Sequence, residues 1–148
     1  MGCDIHSFAE KQIKDAFTLD SYDKEIEKKP KGSHPFDWRS YSLFAFLAGV
    51  RNYDCCEPLS KPKGIPTGIC DEIKKELDFW KDDAHSFSFF TAKELLEFDY
   101  EKQFWNRRIT RTTYRADGSI SGSNGACLAK EGEGEIVSYR ENLGESFF

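Results

Sequence analysis

Apolar residues Leu43, Phe44, Leu47 and Val50 recur at helical spacing and predict a helix over Trp38 to Arg51. Asp37 or Ser40 would cap it, and Ala45, Ala48 and Gly49 would let another element approach closely. Ile73, Leu77 and Trp80 make a similar stripe over Asp71 to Trp80, with Asp71 near the start of the helix. Thr91-Ala-Lys-Glu94 matches a capping box, and Leu95, Leu96 and Phe98 follow, so a further helix is expected to run to about Trp105. Cys3 to Lys11 alternates, with Ile5 and Ser7 on one side and Asp4, His6 and Phe8 on the other. This predicts a strand, with Phe17 to Leu19 as its partner. Ile109 to Ile120 alternates around Asp117-Gly118 and predicts a hairpin. Ile136 to Tyr139 predicts a last short strand.

Polar and glycine-rich stretches punctuate these elements. Flexible loops are expected over 21–35 and 118–134. Cys55 to Gly68 holds Pro58, Pro62 and Pro66 and cannot be regular helix. A long irregular loop of that kind is often functional. Helices and strands do not alternate regularly. The expected class is therefore α+β: a single compact domain over 1–148, with a small, mainly antiparallel sheet and three or so helices.

Composition narrows the function classes. The chain has 148 residues and a net charge of −5, from 21 Lys and Arg against 26 Asp and Glu. Non-specific nucleic-acid binding is not expected from so acidic a chain. A local basic patch remains at Lys102, Arg107, Arg108, Arg111 and Arg115. The longest apolar block, Leu43 to Val50, is too short to span a membrane. Five cysteines without a Cys-x-x-Cys, and no signal peptide, point to free thiols in a reducing cytosol.

The main chemical signal is a repeated Asp-x-His. Asp4-Ile-His6 and Asp83-Ala-His85 hold two of the three histidines. In an extended strand, residues two apart share a side, so each motif would present a carboxylate and an imidazole together. Face to face, Asp4, His6, Asp83 and His85 would supply two oxygens and two nitrogens, a set suited to a divalent metal such as Zn or Mn. Metal-bound water would then attack a phosphoester or an amide. A metal-free version uses His6 and His85 as general base and acid, with Arg51 or Arg39 steadying the transition-state charge. Each motif also has a plain reading: a local Asp–His hydrogen bond, or Arg51 meeting a helix dipole. Ser86 adjoins His85, but no Gly-x-Ser-x-Gly elbow surrounds it. Trp38, Tyr41, Tyr53, Phe87, Phe89 and Phe90 are candidates to line a pocket or interface, with core as the plain alternative.

The opening Met1-Gly-Cys-Asp-Ile-His6 resembles that of small tailed-phage and prophage proteins. Further similarities follow in order: Arg39-Ser-Tyr41, Leu47-Ala-Gly-Val-Arg51, Gly64-Ile-Pro66, and Asp83-Ala-His85-Ser86-Phe-Ser88 before Glu94-Leu95. The resemblance spans about residues 1–100 and implies a phage origin, without supplying a reaction. It places Asp4, His6, Arg51, Asp83, His85 and Ser86 inside recurring motifs. Two functions are carried forward. The first is an accessory protein that counters a host defence by binding, with Arg39, Tyr41, Arg51 and Ser86 as binding candidates. Its partner would be a host protein or ribonucleoprotein, such as a CRISPR effector, or a small nucleotide signal. An acidic surface and exposed aromatics at Tyr53, Phe147 and Phe148 would carry the contact. The second is the metal-dependent phosphoesterase. A virion component is a third reading.

Overall fold

Ser40 starts the first helix of the described chain. Its hydroxyl accepts from the N–H of Leu43, and α1 runs Tyr41–Ala48. The computed structural model describes residues 5–19, 35–36 and 39–148. The class is α+β, with four α-helices and antiparallel two-stranded sheets among the described residues. The chain falls into two compact units, Met1–Arg39 with Lys63–Phe89, and Ser40–Pro62 with Phe90–Phe148.

In the first unit, β1 (Glu10–Ile13) pairs antiparallel with β2 (Ala16–Leu19), Glu10 facing Leu19 and Ile13 facing Ala16. Lys14 turns the chain in the left-handed region at φ 57°. Helix α2 (Asp71–Trp80) buries Ile73 and half-buries Leu77 and Trp80, the stripe expected from sequence. Its N-cap Cys70 offers no side-chain cap, and the Glu10 carboxylate accepts from the Cys70 N–H instead. The stretch 85–89 lies beside Lys63 and Gly64: Gly64 N–H donates to Phe87 O and Lys63 N–H to Ser88 Oγ.

In the second unit, five successive α1 residues, Leu43 to Leu47, are buried. A helix buried all round its middle needs neighbours on every side. Phe46 is fully buried, with ring centroids of Phe98, Tyr100, Tyr139 and Phe147 at 5.0–5.9 Å. Helix α3 (Ala92–Glu97) opens with the expected Thr91–Glu94 capping box. Strand β3 (Gln103–Asn106) pairs with β6 (Glu135–Ser138), and β4 (Arg108–Tyr114) with β5 (Ile120–Leu128), all antiparallel. Ser138 then caps α4 (Tyr139–Leu143) in a second capping box, and a 3-10 turn spans Glu145–Phe147.

Four expectations change. The first strand lies at Glu10–Ile13, and Ile5 to Ala9 are irregular. There the Ser7 hydroxyl does the pairing, bonding both the N–H and the carbonyl of Phe36. The helix from Thr91 stops at Glu97 because Phe98 turns extended (ψ 137°) toward Phe46. Tyr100 Oη then takes the Leu95 carbonyl that a further turn would have used. Most of 118–134, expected as loop, is strand β5, held from β4 by Thr113 Oγ1 on Gly122 O and Arg108 Nε on Gly125 O. Of the two aromatics expected exposed at the end, Phe147 is half-buried and packs on Phe46, while Phe148 is 55% exposed with the Arg140 guanidinium 4.3 Å from its ring centroid. The loop expected over 21–35 and the Asp37 cap lie outside the described residues, apart from Pro35. Among the described residues no helix is long and apolar enough to cross a membrane.

Candidate functional site

The Asp-x-His motifs belong to the first unit. His6 is exposed, its ring centroid 4.7 Å from that of Trp80. Asp83 sits in the turn that ends α2, its N–H on Trp80 O, so Asp83 and His85 do not share the face of a strand. His85 is exposed and its Nδ1 lies 2.9 Å from Ser86 Oγ. Ser86 takes φ 61°. Asp4 lies outside the described residues. Among the described residues, no three His, Cys, Asp or Glu side chains are grouped to hold a metal ion. Arg39 is exposed at the end of the first unit's opening segment.

The structure brings other candidates together in the second unit. Gly49 ends α1 at φ 66°, its N–H on Ala45 O, and Val50 N–H takes Phe44 O. The chain then turns tightly. Arg51 (φ 49°) and Cys55 (φ 60°) both adopt the left-handed region that suits glycine. Asn52 locks the turn from both sides: Nδ2 donates to Cys56 O at 2.7 Å and Oδ1 accepts from Cys56 N. This loop sets the Tyr53 ring 6.4 Å from the Tyr41 ring, and Arg51 Cζ 5.6 Å from the Tyr41 centroid. The Ala45, Phe44 and Phe46 carbonyls near the end of α1 accept from the N–H groups of Gly49, Val50 and Leu59, and the Arg51 side chain donates to none of them. Tyr53, expected exposed, is half-buried in this cluster.

A second guanidinium reaches the same ring from β4, Arg108 Cζ at 5.6 Å. Arg108 is committed elsewhere: Nε donates to Gly125 O, Nη1 to Ser42 Oγ, and Nη1 lies 3.9 Å from Asp54 Oδ1. Asp54 is 1% exposed. Its Oδ2 accepts from Asn142 Nδ2, while Oδ1 has no hydrogen bond. Asn142 Oδ1 accepts from Asn106 Nδ2, and Asn106 Oδ1 from the Arg108 N–H. The ring of contacts from Asp54 through Asn142 and Asn106 fixes the start of β4. Sequence reasoning missed Asp54, Asn106 and Asn142, which nothing local distinguishes. It marked Arg108 only as part of a basic patch.

The cluster is rich in donors and aromatic faces. Buried Cys56 adds no thiolate at neutral pH. Burial pushes the Cys56 thiol up to about 12, with the Asp54 charge adding to the effect. Burial likewise pushes the Tyr139 phenol up to about 12; it donates to Glu57 O at 2.7 Å.

These two groups set an alkaline limit. Their ordinary values are 9.0 and 10.0, so between about pH 9 and 12 the unfolded chain releases protons that the folded chain keeps. Stability is full below pH 9 and falls through that window. Urea midpoints from pH 8 to 11 should fall, and Cys56→Ala should flatten the fall. A midpoint constant to pH 11 would contradict this.

No protein-family profile, curated protein or solved structure matches the chain.

Proposed function

We propose that this chain works by binding, without turnover, and that the Tyr41 cluster is its recognition surface. One observation carries the reading: the Tyr41 ring has two guanidinium carbons within 5.6 Å and the Tyr53 ring beside it. Tyr and Arg dominate the energetics of recognition sites, because both offer large rigid faces with polar edges. The likeness to phage proteins supports, by analogy, a role against a host defence, the partner being an effector or a nucleotide signal.

The test is native mass spectrometry of untagged protein from a bacterial cytosol. Wild type should retain a partner or ligand mass that Arg51→Ala loses. Equal retention by both would overturn the assignment.

The metal-dependent phosphoesterase has one observation in its favour, the exposed His85 beside Ser86. It requires stoichiometric metal in the purified protein, lost from folded His6→Ala and His85→Ala variants. Metal-free wild type would remove it.

A further inference from the structure

We infer that the Tyr41 cluster takes a phosphate monoester, such as the terminal phosphate of a nucleotide, and that Arg51 is the residue that grips it. The inference rests on the binding reading above and names the ligand class for that site.

Arg108 is tied to Gly125, Ser42 and Asp54. The Arg51 side chain makes no hydrogen bond or ion pair with any described residue; its Cζ lies 5.6 Å from the Tyr41 ring centroid. Stacking uses the face of a guanidinium and leaves its in-plane N–H donors pointing outward. The Tyr41 and Tyr53 hydroxyls are also without a hydrogen-bond partner among the described residues. Three adjacent side chains thus present unspent donors. The one buried acid beside them, Asp54, faces Arg108.

Backbone strain adds an independent observation. Arg51 occupies φ 49°, where glycine would sit without cost. Strain that persists at a non-glycine residue is a pointer to function. The side chain that leaves this αL turn carries its guanidinium over Tyr41.

The number of donors selects the ligand. A guanidinium fork gives two parallel N–H bonds, and the two phenols give two O–H bonds. A carboxylate has two oxygens to receive them, and a phosphodiester has two non-bridging oxygens. A phosphate monoester has three, with up to two negative charges, and so uses the set most fully. Arg108, with Asp54 balancing its charge, is a positioning residue whose Cζ lies 5.6 Å from the Tyr41 centroid, reaching it from β4.

The test is calorimetric titration of the full chain with AMP, adenosine, and an oligoadenylate lacking terminal phosphates. AMP should bind, and adenosine should bind about tenfold or more weakly, as expected for lost charge-assisted bonds. Arg51→Lys keeps the charge but loses the fork and should weaken AMP binding about tenfold. Arg51→Gly should abolish binding while its melting temperature stays equal to wild type or rises, because glycine relieves the φ 49° strain. That variant separates a lost ligand contact from a lost fold.

AMP no tighter than adenosine, binding by the oligoadenylate alone, or AMP affinity unchanged in Arg51→Gly would each overturn the inference. If AMP fails while the mass captured from cytosol still depends on Arg51, the ligand class falls and the binding reading stands. If that capture ignores Arg51, the binding reading itself falls.

Discussion

Phe46→Ala is expected to destabilise the second unit by about 3–5 kcal/mol, the range for removing a large buried aromatic. Phe46 is 0% exposed and lies at the centre of four rings from three parts of the chain. Phe98 and Phe147 meet it edge-on, with interplanar angles of 70° and 86°. These rings also touch one another: Phe98 lies 4.9 Å from Tyr139, and Tyr100 lies 5.8 Å from Phe147. They are therefore locked around Phe46 and cannot easily collapse into the space it leaves. Each edge-to-face pair adds about 0.5–1.5 kcal/mol beyond area burial. Urea unfolding followed by tyrosine fluorescence reads the loss. Leu96→Ala, 82% exposed on α3, should stay within about 0.5 kcal/mol of wild type. A Phe46→Ala midpoint as close to wild type as that of Leu96→Ala would show that α1 does not organise this core.

Gly134→Ala is the second large effect, expected at about 2–3 kcal/mol, the upper part of the overpacking range. Gly134 precedes β6 at φ 94°, outside the regions an alanine adopts readily. A Cβ there would lie 2.5 Å from the Asn106 carbonyl and 2.9 Å from Trp105 Nε1. The first is backbone and cannot swing aside. The second is fixed, because Trp105 Nε1 donates to Glu133 O at 3.2 Å. Relief of the clash must therefore part β3 from β6, which pair Asn106 with Glu135 next to the glycine. The loss should appear as a lower urea midpoint and faster amide exchange at Trp105 and Ile136. Gly132→Ala is the control: it shares the positive φ (83°), but its Cβ would meet nothing within 4 Å. Equal losses in the two variants would assign the whole effect to the backbone angle and none to the clash.

What the sequence disclosed depended on how local each signal was. Helix α2 was legible from end to end, because Ile73, Leu77 and Trp80 are a one-sided stripe. The Thr91–Glu94 box was legible because both its hydrogen bonds close within four residues. Phe46 was not, since burial of five successive residues leaves no period to mark its role. Strand β5 was not, because Ser121, Gly122, Ser123, Asn124 and Gly125 lack strand propensity. The site divides the same way. Arg51 and Tyr53 lie in one short loop close in sequence to Tyr41, and all three were marked as candidates. Asp54 and Asn142 meet across 88 positions, and no single sequence encodes that meeting visibly. An Asp-x-His pair shares a side only on extended backbone, which Asp83 does not adopt at the end of α2.

The two units are each assembled from separated stretches, so the chain passes from one to the other after Arg39, Pro62 and Phe89. This shapes how the protein comes off the ribosome. Helix α1 is made before Tyr139 and Phe147, which cover Phe46. About 100 residues separate Phe46 from Phe147, and at roughly 5–20 residues per second their synthesis takes ~5–20 s. Throughout that interval the apolar run Leu43 to Leu47 has no finished core to enter. The nascent chain thus presents a natural docking stretch for chaperones, and neither unit can be released by cutting the gene at a single point.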